Sequence, residues 1–136
     1  MPMTEEEKFR YWIESAEDDM KSAHGTFLME CWLNSAIHCQ QAIERLAKGL
    51  YGLYLNFDDI PHSHVILRII EDFEDKLPST ISKEQREFFV ELSRYYFDDR
   101  YPRNYDRLPK KIDKETAESI LAQTKEAFAW LLTMKP

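Results

Sequence analysis

CWLNSAIHCQQAIERLAKGLYGLYL, residues 31–55, is the stretch from which the fold can be read. Its apolar residues fall at Trp32, Ala36, Cys39, Ile43, Leu46, Leu50 and Leu53, in alternating steps of four and three that give a helix one continuous buried seam. Leu33, Ile37, Ala42, Ala47 and Tyr54 widen that seam, so the helix should touch neighbours on more than one side and occupy the centre of the molecule. The polar residues it keeps are Gln40, Gln41, Glu44, Arg45 and Lys48, with Glu44 one turn before Lys48 in the favourable order for an ion pair.

Working outward, Thr4 followed by Glu7 forms a capping-box pattern, and Glu5, Glu6 and Glu7 sit where a helix dipole favours negative charge. Phe9, Trp12, Ala16, Met20, Ala23 and Phe27 continue as the stripe of a first helix that Gly25 is expected to end or loosen. After the central helix, His62, Ser63 and His64 should open a third, shorter one with Ile66, Ile69, Ile70, Phe73 and Leu77 buried, closed by Pro78. Ser82 and Gln85 repeat the capping-box pattern before a fourth helix whose aromatic face is Phe88, Phe89, Leu92, Tyr95 and Tyr96. That helix must stop by Tyr101, because Pro102 disfavours helical backbone in the residue before it. A loop then runs to Lys111, and Asp113 should cap a last helix striped by Ala117, Ile120, Leu121, Thr124, Phe128 and Leu131. No alternating strand pattern, repeat or linker interrupts this. The expectation is an all-α, five-helix antiparallel up-and-down bundle forming a single domain over residues 1–136.

The length suffices for a core without metals or crosslinks, and a net charge of −7 argues against a general nucleic-acid coat. Cys31 and Cys39 lie about 12 Å apart along one helix, too far for a disulfide, and read as buried thiols in a reducing compartment. Residues 1–10 are charged rather than apolar, and no run approaches a membrane span, so a cytoplasmic protein with no membrane partner is expected.

Residues 98–111 are the most unusual segment. Arg100, Arg103, Arg107, Lys110 and Lys111 stand against Asp98, Asp99 and Asp106, a local charge of +2, whereas residues 1–30 carry three basic and eight acidic side chains, or −5. Guanidinium groups bind phosphate bidentately and Tyr101 or Tyr105 could stack on a base, so a nucleotide or short single strand suits this corner. The competing reading is a solvated loop whose arginines pair with its own aspartates. Histidines two apart on a helix point to different sides, so His62 and His64 are not expected to share a metal; one of them should cap a helix or hydrogen-bond across the bundle. There is no glycine-rich phosphate loop, and no cofactor is called for. Eight Phe, seven Tyr and three Trp are plentiful for a monomer of this size, which points to a homodimer.

Several of these motifs together resemble the HEPN domain family (higher eukaryotes and prokaryotes nucleotide-binding). They are Tyr11-Trp12 with Ala16, Asp18 and Asp19; the run from Ala36 to Lys48 containing Gln40-Gln41-Ala42-Ile43-Glu44; His62-Ser63-His64; and Tyr95-Tyr96 followed by Arg100-Tyr101-Pro102. The resemblance implies an up-and-down helical bundle, commonly homodimeric and often encoded beside a minimal nucleotidyltransferase. Many members are RNases, including toxins, that use an Arg, four to six further residues, and a His. Arg94 would need that His at 99–101, where Asp99, Arg100 and Tyr101 stand, and Arg100 would need it at 105–107, where Tyr105, Asp106 and Arg107 stand. The catalytic His of the motif is missing.

The reading that follows is a HEPN-type protein that binds a nucleotide, single-stranded RNA or a nucleotidyltransferase partner in a toxin–antitoxin-like pair, without strong catalysis of its own. Arg100 and Arg103 would contact phosphate, Tyr101 and Tyr105 would stack, Pro102 would fix the loop, and Arg94 would assist. The alternatives are a metal-independent endoribonuclease using Arg94 or Arg100 with a histidine from another helix, such as His64, and a protein–protein interaction subunit.

Overall fold

Thr4 begins the first helix as its sequence predicts: its hydroxyl accepts from the Glu7 amide at 3.1 Å while the Glu7 carboxylate accepts from the Thr4 amide at 3.3 Å. The computed structural model describes residues 1–97, 108–109 and 112–136. Among them lie five α-helices and no strand: α1 (Glu5–Leu28), α2 (Trp32–Tyr54), α3 (Ile66–Glu71), α4 (Lys83–Ser93) and α5 (Lys114–Leu132), with short 3-10 turns at Phe57–Asp59 and Glu74–Lys76.

Helix α2 occupies the centre, packed by α1 and α5 and touched by α3 and α4. Ile43, Leu46 and Leu50 are fully buried on it against Ile66, Ile69 and Ile70 of α3, Phe89 and Leu92 of α4, and Leu131 of α5. The close approach of α1 depends on Gly49, where a Cβ would come within 3.0 Å of the Trp12 Cβ. All three tryptophans are half-buried, Trp32 with its ring 5.2 Å from that of Phe27.

Gly25 does not end α1, which continues to Leu28. The reversal comes instead at Glu30, whose φ of 62° is left-handed. Its amide bonds to the Phe27 carbonyl and the Cys31 amide to the Thr26 carbonyl, both at 2.9 Å, the paired bonds of a Schellman ending with a glutamate where glycine is usual. A side chain in that region costs about 1 kcal/mol, so Glu30→Gly should raise the urea midpoint by an equivalent of about 1 kcal/mol. An unchanged midpoint would mean that the turn carries no such strain.

Three further helix ends differ from the expectation. Helix α3 stops at Glu71 rather than running on to Pro78, so Phe73 and Leu77 lie beyond it on either side of the 3-10 turn Glu74–Lys76. His62, Ser63 and His64 precede α3 rather than open it: the Ser63 hydroxyl accepts from the Val65 amide at 3.1 Å, a local turn that competes with helix, and α3 begins only at Ile66. Similarly, α4 ends at Ser93, so Tyr95 and Tyr96 lie beyond it. The Ser93 hydroxyl donates to the Phe89 carbonyl at 2.9 Å and accepts from the Ile66 amide at 3.1 Å, joining the end of α4 to the start of α3. Ser82 and Gln85 cap α4 reciprocally, and the Asp113 carboxylate caps α5 by accepting from the Thr116 amide at 2.8 Å. Among the described residues, no helix is long and apolar enough to cross a membrane.

Cys31 lies at the residue before α2 and Cys39 inside it, both as free thiols. Burial pushes the Cys39 thiol up to about 11. A disulfide-exchange reagent at pH 8 should therefore leave Cys39 unmodified in the folded protein and modify it on unfolding, which mass mapping of each cysteine would read. Labelling of native Cys39 at the unfolded rate would contradict its burial.

Candidate polar site on the central helix

Gln40, Glu44 and Lys48 are spaced one turn apart, so they stack along a single face of α2. That face is covered: Gln40 is 0% exposed, and Glu44 and Lys48 are each 9% exposed. Buried polar groups require partners, and these find one another. The Gln40 Nε2 donates to Glu44 Oε1 at 2.8 Å, and the Lys48 Nζ to Glu44 Oε2 at 3.1 Å. The expected Glu44–Lys48 pair is therefore present, as an enclosed pair rather than a solvated one.

The segment before α3 closes over this carboxylate. His64 Nδ1 lies 3.1 Å from Glu44 Oε1 and 3.3 Å from Oε2, which is the contact across the bundle expected of one of the two histidines in that segment. Gln40 Nε2 also reaches the His64 carbonyl at 3.5 Å, so both the backbone and the ring of residue 64 are tied to α2. On its flat side the His64 ring stacks on Tyr96, with centroids 3.6 Å apart and planes 11° from parallel. The His64 side chain remains 39% exposed. An ionised carboxylate only accepts, so this contact places a hydrogen on Nδ1 and turns Nε2 away from Glu44.

A second pair crosses from α1 to α2: Arg45 Nη1 donates to Asp19 Oδ2 at 2.8 Å. Burial pushes the Asp19 carboxyl up, and the Arg45 guanidinium pulls it partly back. Within the core, Gln40 Oε1 and His38 Nδ1 have no hydrogen-bond partner among the described residues.

Of the residues singled out by sequence, Arg94 is exposed at the end of α4 and donates to both oxygens of Glu91 at 3.1 Å. Arg100, Tyr101, Pro102, Arg103 and Tyr105 lie outside the described residues. The Gln40–Glu44–Lys48–His64–Tyr96 cluster was missed as a unit. Its signal was the four-residue spacing of polar side chains inside the most apolar helix, together with a histidine-bearing segment after it.

Several shallow concavities lie elsewhere among the described residues. One of about 260 Å³ runs between α4 and α5, lined by Glu84, Phe88, Gln123, Glu126 and Trp130 among others, and its carboxylates repel phosphate. Another of about 280 Å³ lies where Met3, Lys8, Tyr11, Trp12, Phe57 and Asp58 meet. Among the described residues, no group of three or more His, Cys, Asp or Glu side chains is placed to hold a metal ion.

The model of the HEPN domain matches residues 9–134. Among solved structures, the chain is similar to the crystal structure of TT1696 from Thermus thermophilus, with a TM-score of 0.74 and 23% identity over 93% of this chain and 98% of that one. At that identity the likeness shows the fold. No curated protein matches the sequence.

Proposed function

The chain belongs to the HEPN domain family, and on that premise we propose that it binds a nucleotide or single-stranded RNA through its arginine-rich segment, without strong catalysis of its own. The observation that carries this reading is the family match over residues 9–134, which supports a nucleotide- or RNA-related role and spans the segment where the local charge is +2 in a chain of −7. Arg100 and Arg103 hold phosphate, Tyr101 and Tyr105 stack on bases, Pro102 stiffens the segment and Arg94 assists by releasing Glu91. The same reading makes the protein a cytoplasmic homodimer, a single domain over residues 1–136 and the companion of a minimal nucleotidyltransferase in a toxin–antitoxin-like pair.

The test is binding of labelled single-stranded RNA and a panel of nucleotides at about 50 and about 200 mM salt, with products run on a gel from the same tubes. Binding should weaken with salt, and Arg100→Ala should weaken it about tenfold while the melting curve stays unchanged. If nothing binds at low salt, the reading is wrong and a protein-only partner takes its place.

A second reading is favoured by the His64–Glu44 contact. A histidine oriented by a carboxylate is how a general base is held, so His64 could take the proton that the family motif assigns to its missing histidine. RNA cleavage that disappears in His64→Ala would promote this reading over the first.

A further inference from the structure

Gly49 and Gly52, one turn apart near the C-terminal end of α2, let Trp12 and Phe57 approach its backbone closely: a Cβ at Gly52 would collide with the Phe57 ring. Phe57 opens the 3-10 turn Phe57–Asp59, which the Asn56 side chain caps by accepting from the Asp58 amide at 2.9 Å, so Phe57 and Asp58 are presented together. From the other side, α1 brings Lys8, Tyr11 and Trp12, whose spacing of three and four puts them on one face. With Met3, these residues line the concavity of about 280 Å³. Tyr11 is 70% exposed, and Trp12 and Phe57 are half-buried, so all three rings keep surface for a ligand. The Lys8 ammonium stands 5.8 Å from the centre of the Phe57 ring. Neither it nor the Asp58 carboxylate has a hydrogen-bond or ion-pair partner among the described residues.

We propose that this concavity binds a purine ribonucleoside monophosphate: the base lies against the rings of Tyr11, Trp12 and Phe57, the Asp58 carboxylate accepts from the ribose hydroxyls, and the Lys8 ammonium donates to the phosphate. The three kinds of side chain match the three parts of such a ligand. Aromatic faces stack on a base, a carboxylate suits the ribose diol, and an ammonium suits phosphate. A cation and an anion at the edge of one aromatic surface, neither neutralising the other, have no use for a purely apolar ligand. A volume at the small end of ligand sites suits a mononucleotide. One ammonium matches one phosphate group rather than a polyanion, and α1 opens with Glu5, Glu6 and Glu7, of which only Glu6 is paired, with Lys135 at 2.7 Å, apart from the Glu7 cap. Those carboxylates oppose a longer run of phosphates. The inference goes beyond the arginine-segment reading, since none of its residues is shared.

NMR titration of the wild-type protein with AMP and GMP is the test. Each should bind, with base protons giving NOEs to the rings of Tyr11 and Phe57, a readout that depends on no variant folding. Adenosine should bind about tenfold more weakly than AMP, and Lys8→Met, which keeps an apolar stem beside Phe57, should remove that difference. A 2′,3′-dideoxy-AMP should bind about fivefold more weakly than AMP, and Asp58→Ala should remove that difference in turn. Tyr11→Ala, at an exposed position, should weaken AMP about tenfold while single-stranded RNA binds as it does to the wild type. NOEs to other residues only, adenosine held as tightly as AMP, or normal AMP binding by Tyr11→Ala overturns the inference, as does an absence of AMP and GMP binding at millimolar concentration. RNA binding without AMP at these rings leaves the arginine-segment reading standing and this one overturned; AMP at these rings without RNA binding does the reverse.

Discussion

Glu44→Ala should destabilise the fold by about 3–5 kcal/mol, the loss expected when one partner of a buried ion pair is removed. The side chains of Glu44 and Lys48 are only 12% and 11% exposed, so the ammonium left behind has little water to turn to. Gln40, itself fully buried, would lose the acceptor that its Nε2 holds at 2.8 Å, and His64 would lose the contact fixing Nδ1. The loss is of an arrangement rather than of an attraction, and a second variant separates the two. Replacing both partners, Glu44→Leu with Lys48→Met, removes the charges together and should cost well under the single change, since apolar pairs of similar volume often substitute for buried ion pairs with little penalty. Urea unfolding of the two variants beside the wild type reads both. A single-variant loss below about 1 kcal/mol would show that Lys48 reaches water and that the cluster is not enclosed.

Local signals predict local structure here. The four-and-three rhythm from Trp32 to Leu53 predicts a helix over residues 31–55, and α2 runs from Trp32 to Tyr54. Thr4, Ser82 and Asp113 are caps because a side-chain oxygen and a nearby amide suffice to make one, and all three form. The start of α3 and the end of α4, where the expectation failed, depend on contacts distant in sequence. The non-helical segment from His62 to His64 carries the ring that meets Glu44, twenty residues earlier than His64, and the end of α4 is fixed by a hydroxyl bonded to the amide of Ile66. Glu30 in a left-handed turn contradicts local preference outright; its neighbours' hydrogen bonds hold it there.

The candidate site divides along the same line. That a charged, arginine-rich segment follows an aromatic pair is visible in the order of residues alone. That Gln40, Glu44 and Lys48 face inward is not, because one-turn spacing reads equally well as a solvated stripe. What decides between the two is a partner segment that covers the stripe, and only the fold brings it there.

Phe73→Ala should cost about 3–5 kcal/mol, and it tests whether scaffold and site can be separated. Phe73 follows α3, is fully buried, and packs against two rings of α2: stacked on Tyr54 at 5.3 Å and 7°, and edge-on to Tyr51 at 6.2 Å and 85°. The Tyr54 hydroxyl in turn donates to the Met134 carbonyl, so the same ring that Phe73 steadies anchors the segment after α5. Truncation leaves a cavity at the meeting of α2, α3 and the C-terminal end, whereas Phe73→Leu keeps most of the volume, forfeits the ring pairs, and should cost about 1–2 kcal/mol. Urea midpoints give both values; equal losses for the two variants would mean that volume is not what Phe73 contributes. The decisive comparison is with RNA binding. Phe73 is fully buried and offers no surface to RNA, so in Phe73→Ala the Kd per folded molecule should be unchanged, and added RNA should recover stability through mass action. Arg100→Ala should do the reverse, weakening binding about tenfold at unchanged stability. If Phe73→Ala also weakens binding per folded molecule, the site depends on how α3 is seated, and the His64 segment immediately before α3 is the route by which that dependence would act.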